Sequence, residues 1–235
     1  MSSRNESTDR APVGAASADS LSIDDLRLQA QHEARALRQR IGSVDADAIQ
    51  LLFTGARSHY AWTDRPVSEA QLRALYDVVK MGPTSMNGCP ARFVFITSED
   101  GKARLSKALK PANVPKMMGA PVTAIIAYDP AFWEKLPALF PHEDRRGHFS
   151  GKPDYAEETA FRNSTLQGGY LMIAARAMGL DVGAMSGFTN EIVDQEFFSE
   201  TGWKSNFLCN IGYADESALF QRLPRFDFDE ACTFA

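Results

Sequence analysis

The spacing of apolar and polar positions divides most of the chain into alternating helices and strands. Apolar residues three and four apart, such as Leu72, Leu75 and Val79, predict helices, and short runs rich in Val, Ile and Phe predict strands. These patterns predict one compact domain that begins near Asp45. Its elements are helices over 45–55, 69–81, 101–109, 157–178 and 190–198, and strands over 92–97, 122–128 and 206–213, with a short strand that ends at Met185.

Three segments of the domain depart from a simple amphipathic pattern. The second half of the 157–178 helix is apolar nearly all round, which indicates burial in a domain centre or a subunit interface. Residues 131–155 are rich in Pro, Gly, His and aromatic residues and predict a partly helical flap. The tail over 217–235 is too apolar to lie free in water, so it needs a surface to pack on, and a partner subunit is one candidate.

The N-terminal residues have a different composition. Residues 1–20 are small and polar, which predicts a disordered extension. Residues 21–43 predict an amphipathic helix that begins at the capping sequence Ser22-Ile-Asp-Asp, and residues 45–235 form the compact domain.

Composition removes several classes of function. A net charge of -5 argues against a nucleic-acid partner, and no apolar run is long enough to span a membrane. The cysteines Cys89, Cys209 and Cys232 are widely separated, so neither a disulfide framework nor a metal site is expected. A cytoplasmic protein fits these features best.

The loop after the 69–81 helix carries the most candidate chemistry. Gly82-Pro83 ends the helix, and Thr84, Ser85 and Asn87 follow as hydroxyl and amide groups before the next strand. Such a loop can bind a flat polar heterocycle or a phosphate. Taken alone, an ordinary helix–strand connection explains it at least as well.

Basic and amide residues elsewhere extend the list of candidates. Arg57 and Ser58 at a helix end could hold a phosphate, although a solvated arginine is the simpler interpretation. Asn113 and Lys116 stand at the entrance to a buried strand. Arg222 and Arg225 lie in the apolar tail, where a charge calls for an anionic partner.

The order of these pieces resembles the nitroreductase family of FMN enzymes over roughly residues 45–230. An Arg-Ser segment, a Gly-Pro-Thr-Ser-x-Asn loop, an Asn-x-x-Lys, a Ser-Gly-Phe turn and a terminal Pro-Arg follow one another as in that family. Leu51-Leu-Phe-Thr-Gly-Ala-Arg and Glu157-Glu-Thr-Ala-Phe-Arg-Asn-Ser are most similar to the malonic semialdehyde reductase branch, which forms 3-hydroxypropanoate. The resemblance implies an α+β fold, a mixed sheet flanked by helices, in an interlocked homodimer with C-terminal exchange and FMN at the interface.

The resemblance also implies a site, residue by residue. Asn113 and Lys116 would contact the pyrimidine edge of the flavin, and Ser186 and Gly187 would form the turn near N5. Lys116 and Gly187 would have the catalytic roles. The implied contacts to the phosphate and ribityl chain are Arg57, Ser58 and Arg225, and those to the ring are Pro83, Thr84, Ser85 and Asn87.

Some positions depart from the family pattern. Ala56, Tyr60 and Leu223 stand where many members carry basic residues, which removes positive charge from the phosphate site. Arg222 and His59 are the candidates to replace that charge. Cys89 replaces a glutamine in the loop.

The implied reaction is ping-pong hydride transfer from NADPH or NADH through flavin N5 to a small-molecule substrate. If that substrate is malonic semialdehyde, Arg162 or Arg92 could hold its carboxylate. Two alternatives stay open: a generalist reductase of nitroaromatics or quinones, and a flavin-binding protein without turnover. No convincing side-chain nucleophile, general base or metal ligand set is present.

Overall fold

A computed structural model describes residues 22–235, and these divide after Asp45 into two compact units, residues 22–45 and residues 46–235. The prediction for residues 1–20 lies outside the described residues. In the first unit, helix α1 (Ile23–Arg40) begins with a capping box, in which Asp25 N donates to Ser22 Oγ at 3.1 Å and Ser22 N donates to the Asp25 carboxylate at 3.2 Å. None of the residues of this helix is buried.

The second unit is built on a four-stranded sheet in the order β1-β2-β4-β3. Every residue of β2 is buried, because this strand has a neighbour on either side and helices pack over the sheet. The strands are β1 (Ala91–Ile96), β2 (Val122–Tyr128), β3 (Asp181–Met185) and β4 (Lys204–Gly212).

Eight helices of the described chain belong to the second unit. The longest, α7, buries a row that includes Leu171, Ala174 and Ala175 in the main core, beside Leu75 and Val79 of α3. The helices are α2 (Ala46–Ile49), α3 (Glu69–Val79), α4 (Glu99–Ser106), α5 (Val114–Gly119), α6 (Leu136–Leu139), α7 (Pro153–Ala177), α8 (Asn190–Phe198) and α9 (Phe228–Ala231).

The α+β class is confirmed, with one correction to the sheet. All three strand pairs are antiparallel, so the expectation of a mixed sheet is wrong for the four strands. The parallel pairing is limited to one isolated bridge between Ser58 and Val182. The segment that carries Ser58 cannot extend this pairing, because Trp62, four residues later, already pairs antiparallel with Ala214.

The other predicted elements lie within a few residues of the observed ones. The expected helix over 45–55 is divided into α2 and a π-helical turn, Gln50–Thr54, directly before Gly55 and Arg57. The flap over 131–155 contains α6 and two short 3-10 turns, as its composition indicated. Among the described residues, no helix is both long and apolar enough to cross a membrane.

Candidate functional site

Asn113, Lys116 and Gly187 form one hydrogen-bonded group, called here the amide–lysine cluster. Asn113 ends a 3-10 turn just before α5, and its Nδ2 donates to Gly187 O at 3.1 Å. Lys116 lies in the first turn of α5, and its Nζ donates to Asn113 Oδ1 at 3.2 Å. Two elements far apart in sequence, α5 and the turn after β3, therefore meet through these side chains.

Close packing fixes the geometry of the cluster. A Cβ placed on Gly187 would lie 2.5 Å from Asn113 Nδ2, so a larger residue could not keep this contact. Behind the cluster, Asn210 Nδ2 donates to Lys116 O at 3.0 Å, and Thr123 Oγ1 donates to Asn210 Oδ1 at 2.7 Å. Thr123 and Asn210 are buried polar residues in the central strands, where period-two patterning alone does not distinguish them from the apolar core.

Tyr60 connects the amide–lysine cluster to the C-terminal tail. Lys116 Nζ lies 5.0 Å from the centroid of the Tyr60 ring, a distance at which a cation is attracted to the ring face. The Tyr60 ring lies 6.5 Å from that of Phe220, whose carbonyl accepts a hydrogen bond from Arg57 Nη2. Arg57 and Lys116, both predicted site residues, thus belong to one connected group.

The backbone around Ser58 and His59 follows the edge of β3. Ser58 pairs with Val182, and His59 N donates to Val182 O at 3.0 Å. The His59 ring is buried, and its Nε2 lies 3.3 Å from Asp181 Oδ1. Burial lowers the pKa of His59, and the attraction of the partly exposed Asp181 only partly offsets it, so the ring is neutral near pH 7. His59 therefore does not replace the missing positive charge.

The loop over 83–90, the second group of predicted residues, is held at both ends by one face of α7. Ser85 N donates to Asn163 Oδ1 at 2.8 Å, and Ala91 N, just beyond the loop, donates to Gln167 Oε1 at 2.9 Å. Asn163 and Gln167 are four residues apart and both buried. This role was not predicted from the sequence. The pattern that could have indicated it is a pair of amide side chains four residues apart on a largely buried helix.

Within the loop, most polar groups bond to the surrounding protein. Tyr170 Oη donates to Pro83 O at 2.9 Å, Cys89 N donates to Thr84 Oγ1 at 3.1 Å, and Asn87 Nδ2 donates to Leu139 O at 2.8 Å. Met86 and Asn87 both have φ of 51°, and Cys89 has φ of 42°. Left-handed conformations are uncommon for Met and Cys, although Asn adopts them more readily, and they tend to cluster at ligand sites.

A cavity of about 720 Å³ lies between this loop and α7. It joins Ser85 of the loop with Arg162, and its apolar lining includes Leu166, Met172 and Ile173. Arg162 is exposed and pairs with Glu158 one turn earlier on α7. The cavity places a cation and the loop in one concave surface, which is the arrangement that an anionic ligand requires.

The other candidate arginines have different surroundings. Arg92 Nη2 donates to Asp129 at 2.7 Å and its Nη1 donates to the carbonyls of Cys89 and Ala91, so its charge is paired with a carboxylate and most of its donors serve the fold. Arg225 is exposed and bonds only within the tail, to the carbonyls of Leu223 and Pro224.

Ser186 and the region around Arg57 complete the site residues. Ser186 is exposed at the turn after β3, beside Gly187. A second cavity, of about 590 Å³, is lined by Arg57, His59, Arg176 and Asp181 among others. The structure therefore collects the predicted residues into a group that includes Arg57, Asn113, Lys116 and Gly187, and a separate group around the loop. Within residues 22–235, no cluster of His, Cys, Asp or Glu could hold a metal ion.

Comparisons with known proteins give one consistent result. A protein of Stutzerimonas stutzeri (strain A1501) with the name NADH dehydrogenase/NAD(P)H nitroreductase is 52% identical over 192 residues, which cover 82% of this chain and 98% of that protein.

Solved structures share the fold at lower identity. A nitroreductase from Bacillus subtilis matches with a TM-score of 0.73 at 17% identity, over 81% of this chain and 100% of that one. A nitroreductase from Exiguobacterium sibiricum 255-15, solved in complex with FMN, matches with a TM-score of 0.71 at 21% identity, over 82% of this chain and 99% of that one.

The family model of the nitroreductases matches residues 54–213, more than half of the chain. This range holds the amide–lysine cluster, the 83–90 loop and all four strands. By its sequence, its fold and the arrangement of these residues, the chain belongs to the nitroreductase family.

Proposed function

We propose that the protein is an FMN-dependent NAD(P)H oxidoreductase. The observation that carries this function is the amide–lysine cluster, in which Asn113 accepts a hydrogen bond from the ammonium group of Lys116 and donates one to the backbone of Gly187. The 52% identical relative is named as an NAD(P)H nitroreductase, and one structural neighbour was solved with FMN. Both facts concern those proteins, and they agree with the chemistry that this cluster offers.

The residues present fit a flavin. The Asn113 amide supplies a donor and an acceptor, which suits the polar edge of a flat heterocycle, and Lys116 supplies a positive charge beside it. A Cβ at Gly187 would fill space directly against Asn113, so the glycine leaves the backbone of this turn accessible. Arg57 is a cation whose recorded hydrogen bond goes to a neutral carbonyl, which leaves its charge available for a phosphate.

Bound FMN would supply the chemistry of hydride transfer between NAD(P)H and a second substrate. The protein's own part is electrostatic and geometric. Lys116 stabilises negative charge that develops next to it, as an oxyanion hole does, and Asn113 holds its ammonium group in place. The turn at Ser186 and Gly187 would lie next to flavin N5, as the family resemblance implies. No side-chain nucleophile is needed.

The active unit that we propose is a homodimer with a site at each subunit interface and with C-terminal exchange of the part of the tail that follows Arg225. Two observations support it. Helix α7 exposes Phe161 and also Leu166, which lines the cavity next to it, and the tail exposes Phe226 and Phe228. A second copy would cover these surfaces, and it would bring the 83–90 loop of one subunit to the amide–lysine cluster of the other.

For the acceptor, we propose malonic semialdehyde, reduced to 3-hydroxypropanoate. Arg162 supports this choice, because it shares a cavity with Ser85 and its Glu158 partner is exposed, so that a substrate carboxylate can displace it. Arg92 is less suited to this role, because its charge is already paired with Asp129, a carboxylate that is far less exposed than Glu158.

A generalist reductase of nitroaromatics or quinones is the second candidate. The observation that favours it is the apolar lining of the same cavity, where Leu166, Met172 and Ile173 offer a surface for a flat aromatic acceptor. Both candidates use the same cofactor and cluster, so they differ only in the acceptor.

Anaerobic absorbance spectra of the protein with FMN test the proposal. We expect NADPH or NADH to bleach the flavin bands and malonic semialdehyde to restore them. Recovery only with a quinone or nitroaromatic would support the generalist. Bound flavin that no nicotinamide can bleach would indicate a flavin-binding protein without turnover, and an absence of flavin binding would contradict the proposed function.

The variant Arg162→Ala tests the acceptor. We expect KM for malonic semialdehyde to rise about 10- to 100-fold, because the lost charged hydrogen bonds are worth roughly 1.5–3 kcal/mol. KM for a quinone should not change. Arg73→Ala is the matched control, since Arg73 forms the same kind of exposed pair with Glu69 one turn earlier on α3. An unchanged KM for the semialdehyde would exclude Arg162 from substrate binding.

A further inference from the structure

Two arginines tie the C-terminal tail to the segment before Ser58 by reciprocal hydrogen bonds. Arg57 Nη2 donates to the carbonyl of Phe220 in the tail. In the opposite direction, Arg222 Nη2 donates to the carbonyl of Ala56 at 3.0 Å. Because the bonds join neighbouring residues on each side, they bring both guanidinium groups to one place. We call this pair of contacts the arginine clasp.

The clasp concentrates positive charge that the fold does not neutralise. A guanidinium group has five N–H donors, and Arg57 and Arg222 each donate from one nitrogen to a neutral backbone carbonyl. The ion pairs formed by residues 22–235 include neither arginine, although Glu216 lines the neighbouring cavity. Two guanidinium groups of this kind, one half-buried and one exposed, form a suitable site for a dianion.

Arg225, the tail arginine that the family resemblance assigns to the phosphate, has a different geometry. Its Nη1 donates to Leu223 O at 3.1 Å and to Pro224 O at 2.9 Å, both within the tail itself. Its guanidinium group is therefore held against its own backbone, whereas that of Arg222 reaches the segment that carries Arg57 and Ser58. Position in the sequence favours Arg225 as the tail residue that binds the phosphate, whereas the contacts in the structure favour Arg222.

We propose that Arg222 and Arg57 together bind the phosphate of FMN, and that phosphate binding fastens the tail to the 56–60 segment. This inference rests on the proposed flavin function. Arg222 thereby replaces the positive charge that Ala56, Tyr60 and Leu223 do not supply. Since the phosphate bridges the two sides of the arginine clasp, any ligand that carries it binds the closed tail more tightly than the open one.

Flavin affinities of the apoprotein test this assignment. Dissociation constants for FMN and for riboflavin, which lacks the phosphate, are measured by fluorescence quenching for the wild type, Arg222→Gln, Arg222→Lys and Arg225→Gln. We expect Arg222→Gln to weaken FMN binding at least about tenfold and to leave riboflavin binding unchanged. Arg222→Lys should recover part of the loss because it keeps the charge, and Arg225→Gln should cause a smaller loss than Arg222→Gln. Arg73→Gln, on the surface of α3, is the neutral control.

Proteolysis of the tail gives a readout that does not depend on a variant. Phe220 and Phe226 are exposed sites for chymotrypsin. In the wild type, FMN should slow cleavage there several-fold more than riboflavin does. Equal protection by both flavins, or an FMN affinity that Arg222→Gln leaves unchanged while Arg225→Gln lowers it, would overturn the assignment. A wild type that binds neither flavin would instead contradict the proposed function.

Discussion

The amide–lysine cluster and the 83–90 loop both carry predicted site residues, but their hydrogen bonds have different partners. In the cluster, Asn113 and Lys116 bond to each other and to the turn at Gly187, so charged and amide groups are held together at the surface. In the loop, Ser85 and Asn87 bond to α7 and to the flap, so the protein uses those groups to shape the backbone.

This difference separates two ways to prepare a binding site. The cluster presents functional groups whose mutual bonds orient them, which favours electrostatic stabilisation without reorganisation. The loop uses backbone groups and the side chains of Thr84 and Asn87 for bonds to the fold, and these bonds hold a backbone in which Met86, Asn87 and Cys89 have positive φ. Substitutions in the cluster should therefore change cofactor binding, whereas substitutions under the loop should change stability first.

The largest effect is expected from Gly187→Ala in the cluster. The new Cβ would lie 2.5 Å from Asn113 Nδ2, so Asn113 must move and Lys116 loses its acceptor. Overpacking of this kind costs roughly 1–3 kcal/mol, which corresponds to about a 5- to 140-fold loss of FMN affinity if the whole cost falls on the binding site. Fluorescence titration with FMN measures the change in affinity.

Gly147→Ala is the control for that experiment, because nothing lies within 4 Å of a Cβ at this flap position. We expect it to bind FMN as the wild type does. If Gly187→Ala also bound FMN normally, with an unchanged melting temperature, close packing at Gly187 would not fix the geometry of the amide–lysine cluster.

A stability effect is expected from Asn163→Ala beneath the loop. The variant leaves the Ser85 N–H without its buried acceptor, which costs roughly 1–3 kcal/mol. For a chain of this size, each kcal/mol lowers the melting temperature by about 2–4 °C. Calorimetry measures the shift, and Ser106→Ala, which removes an exposed hydroxyl bonded to Ala103 O, is the control. A loss of FMN affinity without any loss of stability would contradict the distinction between the two regions.

The smallest effect is a pH dependence that His59 introduces near the arginine clasp. Burial lowers the pKa of His59 in the folded protein below its ordinary value of 6.5, so the unfolded chain takes up the proton first as the pH falls. Stability is therefore full above pH 6.5 and declines below it, until the folded ring is protonated as well. One proton limits the slope to about 1.4 kcal/mol per pH unit.

Denaturation by urea between pH 8 and pH 5 measures this slope. His59→Gln should flatten the decline, because glutamine does not titrate. The control is His32→Gln in α1, where the side chain is exposed. If His59→Gln and the wild type lost stability in parallel, burial would not set the protonation state of this ring.

Local patterns were enough to predict most secondary structure, and the errors have physical causes. The apolar run over β2 and the spacing of α3 depend only on neighbouring residues, and both elements were predicted within two residues. The mixed sheet, which the family resemblance implied, was wrong for these strands, and the local pattern could not correct it because strand direction depends on how distant segments pair. The period of apolar residues within a strand does not report it.

The site shows the same division. The sequence by itself determined which residue types were available: Asn113, Lys116 and Gly187 in family order, a loop that ends in Cys89-Pro90, and a tail with two arginines. Only the tertiary structure decided three contacts of the site. They are the hydrogen bonds that Asn163 and Gln167 accept from the loop and its end, the position of the Tyr60 ring beside Lys116, and the reciprocal bonds of Arg57 and Arg222. Each of these contacts joins residues from separate elements, and their geometry exists only after the intervening chain has folded around the sheet.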